Sequence, residues 1–137
     1  MDSMIVVMFV AILFVGILLL VIVGATRKTP GGINREEFRS KWLTIEKSLT
    51  GDTSANHLAI LNADKLVDQA LKARGFRGET MGERMKTAQK QLSNPNALWA
   101  AHKLRNRIAH EDVTISTANT RQALKAFKLT LKDLGAL

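Results

Sequence analysis

One thirteen-residue segment, WAAHKLRNRIAHE from Trp99 to Glu111, carries two of the three histidines of the chain. As a helix with 100° per residue it has two different faces. The apolar face consists of Ala101, Leu104 and Ile108, continued by Leu98 just before the segment. The second stripe consists of Trp99, His102, Asn106 and His110, which fall within about 80° of each other, and Arg105 lies at its border. Since the apolar face packs inside its own domain, the second stripe predicts either a partner surface or a ligand.

Several other kinds of site are excluded or only weakly indicated. The chain has no cysteine, which excludes disulfides, thiol nucleophiles and cysteine-ligated metals. His102 and His110 are eight residues apart with no carboxylate between them, so we predict no metal site. Gly75, Gly78 and Gly82 are not followed by the Gly-Lys-Ser/Thr of a phosphate loop. No nucleophile elbow is present, and aromatic residues are too few for a base-stacking sheet.

The first part of the chain is predicted to cross a membrane. Met4–Ala25 is a run of 22 residues without a polar side chain. As a helix it would measure about 33 Å, enough for a hydrocarbon core of about 30 Å. A cleaved signal peptide needs a positive region before the apolar run, and the residues before Met4 include no Lys or Arg. We therefore expect a retained anchor over residues 1–25, a linker over 26–33 and a soluble domain over 34–137.

The charges predict which side of the membrane the domain occupies. Arg27 and Lys28 follow the span directly, whereas Asp2 is the only charged side chain before it. Because Lys and Arg flanks stay in the cytoplasm, we expect a single-pass protein of the cell membrane with a cytoplasmic carboxy-terminal domain. From Thr26 onward, 20 Lys and Arg stand against 11 Asp and Glu, a net charge of +9. This surplus favours an anionic partner, namely RNA, DNA or the inner leaflet, with a merely solvated basic surface as the alternative.

Capping residues and apolar spacing predict an all-α fold behind the anchor. The predicted helices run from Asn34 to about Gly51, from about Ser54 to Arg74, from Thr80 to Leu92, from Asn94 to about His110, and from Ser116 or Thr117 through Leu134. Asn34 with Glu37 and Thr80 with Glu83 have capping-box spacing, and Asn94 precedes an N1 proline. The second helix is apolar over a wide arc that includes Leu58, so we expect it at the centre of the bundle. The three residues 113–115 are too short to predict a sheet.

The segment from Arg105 to His110 resembles a known motif. Arg105-Asn106-Arg107-Ile108-Ala109-His110 matches the R-x4–6-H motif of the HEPN superfamily, including the polar residue that commonly follows the arginine. The strings ADKLVDQAL and HKLRNRIAHE also look like HEPN-type helices of small bacterial proteins. The resemblance covers about residues 35–135 and leaves out the membrane segment. It implies a four- to five-helix bundle that forms a homodimer, with the two motifs facing each other in a shared cleft.

The resemblance also implies an activity. Many HEPN proteins are metal-independent endoribonucleases without a cofactor, often toxins or defence factors. If the roles of the family motif apply to the matching residues, Arg105 and His110 are the catalytic pair. Phosphate or RNA would be positioned by Asn106, Lys103 and Arg107, and the dimer interface would include Trp99 and His102. RNA supplies its own nucleophile, the 2′-OH, so the protein needs only proton transfer by histidine and charge stabilisation by arginine. RNA and an antitoxin or regulatory protein are the expected partners.

A noncatalytic function is the alternative. Many HEPN domains are dimerisation or binding modules, and this one would bind RNA or protein at the cytoplasmic membrane face. Arg105 would then bind a carboxylate of its own domain, and His110 would interact favourably with the carboxyl end of its helix.

Overall fold

A computed structural model describes residues 2–26 and 32–137, with side chains described for 2–23 and 32–137. The chain divides between Gly31 and Gly32 into two compact units. Most of the predicted linker, residues 27–31, lies outside the described residues. The predicted all-α fold with an amino-terminal apolar helix is confirmed: the described residues contain helices and no strand.

In the first unit the described residues form one helix, α1 (Ser3–Thr26). Every side chain described in it is exposed, so none belongs to a core. The stretch Ser3–Val23 is long and apolar enough to span a membrane. These properties are compatible with the predicted anchor, because a membrane helix needs about 20 consecutive apolar residues.

The second unit contains five helices. They are α2 (Arg35–Lys47), α3 (Thr53–Ala73), α4 (Met81–Ala88), α5 (Pro95–His110) and α6 (Thr117–Asp133). A single 3-10 turn, Gln89–Gln91, follows α4, so the predicted third helix ends earlier than Leu92. Residues 113–115 belong to the irregular connection between α5 and α6, and the side chain of Ile115 is buried in the core.

Side chains cap four of these helices where the sequence predicts caps. Asn34 accepts a hydrogen bond from the N–H of Glu37, and Asn94 accepts one from Ala97. Thr80 and Ser116 cap α4 and α6 in the same way. Each bond satisfies an amide that has no partner within its helix. At the other end of α3, Gly75 has a φ of 80°, and the Phe76 N–H reaches back to the Leu71 carbonyl in a Schellman motif.

The helix α3 lies at the centre, packed against α2, α4, α5 and α6. Its buried apolar residues are Ala59, Ile60, Ala63, Leu66, Val67, Ala70 and Leu71. All buried core residues in the described part of the chain belong to the second unit. The prediction of a central α3 is confirmed, but Leu58, placed in the apolar arc, is 54% exposed. One face of α3 therefore remains open, and it borders the candidate site.

Candidate functional site

An open cleft lies between α3, α5 and the start of α4. Its volume is about 670 Å³. From α5 it is lined by His102, Arg105 and Asn106, and from α4 by Thr80, Met81 and Gly82. The α3 wall consists of Leu58, Leu61, Asn62, Asp64, Lys65 and Asp68. The residues from α5 share one side of that helix because they are three and four positions apart. The cleft therefore combines an imidazole, a guanidinium, an amide and apolar side chains in one solvent-accessible space.

Asp64 pairs with two basic side chains of this cleft, His102 and Arg105. Its carboxylate is only 5% exposed, although it lies on an otherwise apolar part of α3. Oδ1 accepts a hydrogen bond from Nδ1 of His102 at 2.8 Å, and Oδ2 lies 3.4 Å from Nε of Arg105. A buried carboxylate is stable only when such partners compensate for its lost hydration. The pairing fixes α5 against α3 and fixes the orientation of both partners.

The Nε atom of Arg105 faces Asp64 inside the domain, whereas part of the guanidinium is open to solvent. Its Nε atom is buried, and the 3.4 Å separation from Asp64 is an ion pair without a well-formed hydrogen bond. Nη1 donates to Oδ1 of Asn106 at 3.0 Å. The side chain is still 37% exposed. Its remaining N–H donors can therefore bind an anion that enters the cleft, with little further ordering of the side chain.

Trp99 packs beside the cleft, against the start of α4. Its ring lies over Gly82, where an added Cβ would meet the ring at 3.4 Å. It also makes an edge contact with the His102 ring, with the centroids 6.2 Å apart. Trp99 is half-buried, and the His102 side chain is 12% exposed. The structure thus packs the first half of the second stripe against its own domain, through Gly82 and Asp64.

His110 lies apart from this arrangement. It is the last residue of α5, is exposed, and is not among the residues that line the cleft. It follows Arg105 by five residues, a rise of about 7.5 Å along the helix axis. Within one copy of the chain, the structure therefore brings Arg105, Asn106 and His102 together and leaves His110 on the surface beyond them.

Lys103 and Arg107 face a different groove. They line a depression of about 400 Å³ between α5 and α6, together with small residues such as Ala97 and Ala123. Arg107 lies 3.4 Å from Glu111 in an exposed ion pair. The six predicted polar or charged residues between His102 and His110 are thus divided between the cleft, the surface and this groove.

A partly buried ion pair supports the far wall of the cleft. Arg84 of α4 donates through Nε and Nη2 to the two carboxylate oxygens of Asp68. Burial raises the pKa of Asp68, but hydrogen bonds from Arg84 and Lys72, together with their charges, outweigh it and hold that pKa below its ordinary value. The carboxylate therefore stays ionised and fixes α4 against α3.

Asp64 lines the cleft but was not among the residues predicted from the sequence. It lies within the quoted string ADKLVDQAL, four residues after Ile60 and three before Val67, which are both apolar. A carboxylate on an apolar helix face signals a buried ion pair, because Asp is almost never fully buried without a partner. The sequence therefore predicts that Asp64 has a basic partner, but it does not indicate which of the 20 Lys and Arg residues or three histidines that partner is.

Among the described residues, no three His, Asp or Glu side chains converge as a metal site would require. Comparison with family models, curated proteins and solved structures finds no match to this chain. The HEPN assignment stays a prediction from the motif and its position on α5.

Proposed function

We propose that residues 32–137 form a homodimeric, HEPN-like endoribonuclease that needs no metal and is held at the cytoplasmic face of the membrane by α1. The observation that carries the proposal is the state of Arg105. Asp64 and Asn106 fix its guanidinium at the edge of an open cleft, and more than a third of the side chain remains accessible. A fixed cation of this kind stabilises negative charge that develops during a reaction.

The proposed reaction uses the 2′-OH of RNA as nucleophile. His110 accepts the proton of the 2′-OH while the 2′-oxygen forms a bond to the adjacent phosphorus. The bond from phosphorus to the 5′-oxygen breaks, and that oxygen takes up a proton. The products are a 2′,3′-cyclic phosphate and a free 5′-OH. Arg105 and Asn106 hold the phosphoryl oxygens as charge builds, which is a role suited to the fork of guanidinium donors.

The second copy has a defined role in this proposal. Since His110 does not line the cleft of its own copy, it serves the reaction by reaching the cleft of the other copy. The open α3 face with exposed Leu58 supports a contact between copies on this side of the domain. The +9 charge from Thr26 onward favours association with RNA near the membrane.

The test is cleavage of end-labelled single-stranded RNA by purified residues 32–137 in excess EDTA. We expect wild-type protein to cut and His110→Ala to lose activity by about 10²–10⁴-fold, the usual value of a positioned proton-transfer group. Arg105→Ala should be similarly impaired. His57→Ala is the matched control, because His57 does not line the cleft. Intact RNA with wild-type protein, or equal cutting by His110→Ala, would refute the enzymatic proposal.

A noncatalytic RNA- or protein-binding module is the second candidate. The observation that favours it is that Asp64 partly neutralises Arg105 and binds His102. The same assay separates the candidates, because a binding module would shift the mobility of the RNA without cutting it. In that case Arg105→Ala would change affinity, and His110→Ala would leave the RNA intact as wild-type protein does.

A further inference from the structure

We infer that Asp64 and His102 form a second proton-transfer unit, in which His102 of one copy acts on the same phosphodiester as His110 of the other copy. The inference rests on the proposed function and deepens it. It assigns the proton that the departing 5′-oxygen requires, and it assigns a positioning role to Asp64.

The hydrogen bond between the two residues defines the state of the His102 ring. An ionised carboxylate can only accept a hydrogen bond, so Nδ1 of His102 must carry the proton at the 2.8 Å contact with Asp64. The other ring nitrogen, Nε2, makes no hydrogen bond to any residue in the described ranges. Since His102 lines the cleft, Nε2 is the position at which this ring exchanges a proton with a ligand.

Asp64 is suited to a positioning role because it is itself fixed. It is buried in the middle of α3 and also pairs with Arg105. The same carboxylate therefore sets the tautomer of one side chain and the direction of the other. A carboxylate that orients a histidine and stabilises its charged form is a recurring arrangement in proton-transfer catalysis.

We place the two histidines in different copies because His110 does not line the cleft that holds His102. His102 and His110 are eight residues apart on α5, a rise of about 12 Å. The 2′-oxygen and the 5′-oxygen are bound to one phosphorus in the transition state, so both histidines must reach the same cleft. A two-fold symmetric contact through the α3–α5 face brings His110 of the second copy toward the cleft, and symmetry then creates two equivalent sites.

His110 of one copy takes the proton from the 2′-OH as the new bond from oxygen to phosphorus forms. The bond from phosphorus to the 5′-oxygen breaks, and Nε2–H of His102 in the other copy transfers its proton to that oxygen. His102 is left neutral with its Nδ1 proton still donated to Asp64, and His110 is left protonated. Exchange with water restores both histidines.

The decisive experiment mixes two inactive variants. His102→Ala and His110→Ala, each in residues 32–137, should each lose about 10²–10⁴-fold in RNA cleavage. After equal mixing and subunit exchange, half of the dimers contain one of each, and each such dimer has one complete site. We expect the mixture to recover about a quarter of wild-type activity by the symmetry of the dimer.

The outcomes of this experiment are distinct. Full activity of His102→Ala, or no recovery in a mixture shown to exchange subunits, would overturn the inference while the proposed ribonuclease still stood. Absence of cleavage by wild-type protein would instead refute the proposed function.

The pairing of Asp64 with His102 can be measured without any activity. Long-range ¹H–¹⁵N spectra of the wild-type domain above neutral pH should show His102 as the Nδ1–H tautomer. Asp64→Asn should shift it toward the Nε2–H tautomer, because an amide can donate to Nδ1. Asp68→Asn is the matched control one turn further along α3, and it should leave the His102 tautomer unchanged. An Nε2–H tautomer in the wild-type domain would overturn the positioning role.

Discussion

Arg84 and Asp68 form a two-pronged ion pair between α4 and α3, with Nε to Oδ1 at 2.7 Å and Nη2 to Oδ2 at 3.0 Å. Nη1 of Arg84 donates in addition to the Gly78 carbonyl at 2.6 Å. The arginine side chain is 9% exposed. All three bonds depend on one guanidinium, so this residue connects the start of α4, the loop before it and the central helix.

We expect Arg84→Met to lower the free energy of unfolding by about 3 kcal/mol, because it leaves a partly buried carboxylate without its main partner. Lys72→Met is the control, since Lys72 contacts the same carboxylate from an exposed position and should cost less than about 1 kcal/mol. Urea unfolding of residues 32–137 measures both. Equal effects would contradict a dominant role for Arg84.

The same pair predicts that the free energy of unfolding decreases at acid pH. Folding lowers the pKa of Asp68, so its ionised form is favoured in the native state. Its contribution is complete above the unfolded-state pKa of about 4 and is lost as the pH falls through the lower native value. We expect Asp68→Asn to flatten the dependence of unfolding free energy on pH below about 4. If this variant shows the same loss of unfolding free energy below about pH 4 as the wild type, Asp68 is not responsible for it.

The helices could be predicted from the sequence because their signals are local. Asn34, Thr80, Asn94 and Ser116 all cap helices in the structure, since a cap depends on residues only three positions apart. The central position of α3 followed from its wide apolar arc. The exposure of Leu58 could not be predicted, because it depends on which part of α3 the other helices leave uncovered.

The candidate site was only partly predictable. His102, Arg105 and Asn106 were selected from their spacing on one helix, and they line one cleft. Asp64 is 38 residues from His102 in the sequence, and nothing in the local pattern pairs the two. Lys103 and Arg107 looked equivalent to Arg105 in composition, yet the rotation of α5 turns them toward α6.

The orientation of the anchor is a prediction from Arg27 and Lys28, which follow the apolar run. A reporter active only in the cytoplasm, fused after Leu137, should be active, and one active only outside the membrane should not. Replacing both residues by Glu should increase the inverted fraction, because the positive flank is then lost. An active external reporter on the wild-type chain would refute the cytoplasmic orientation.

Association through the open α3 face can be tested with matched leucines. Leu58 borders the cleft and is 54% exposed, whereas Leu43 on α2 is 45% exposed and does not line it. We expect residues 32–137 to sediment as a dimer at concentrations on the order of tens of micromolar. Leu58→Glu should yield monomers, because it places a charge in the contact, and Leu43→Glu should remain dimeric. A wild-type monomer would remove the shared cleft and with it the basis for catalysis.

The groove between α5 and α6 predicts a separation of RNA binding from cleavage. Lys103 and Arg107 lie there and not in the cleft, so in the proposed enzyme they attract RNA without touching the reacting phosphate. Each phosphate contact adds about 0.9 to the slope of log affinity against log salt for duplex DNA, and about 0.7 for single strands. We therefore expect the double variant Lys103→Ala, Arg107→Ala to reduce the slope for single-stranded RNA by about 1.4. Its single-turnover cleavage rate at saturating protein should match wild type.

Arg105→Ala should show the opposite pattern, with a large loss of rate and a smaller change in slope. A rate loss in the double variant as large as that of Arg105→Ala would show that the groove residues act on the reacting phosphate after all.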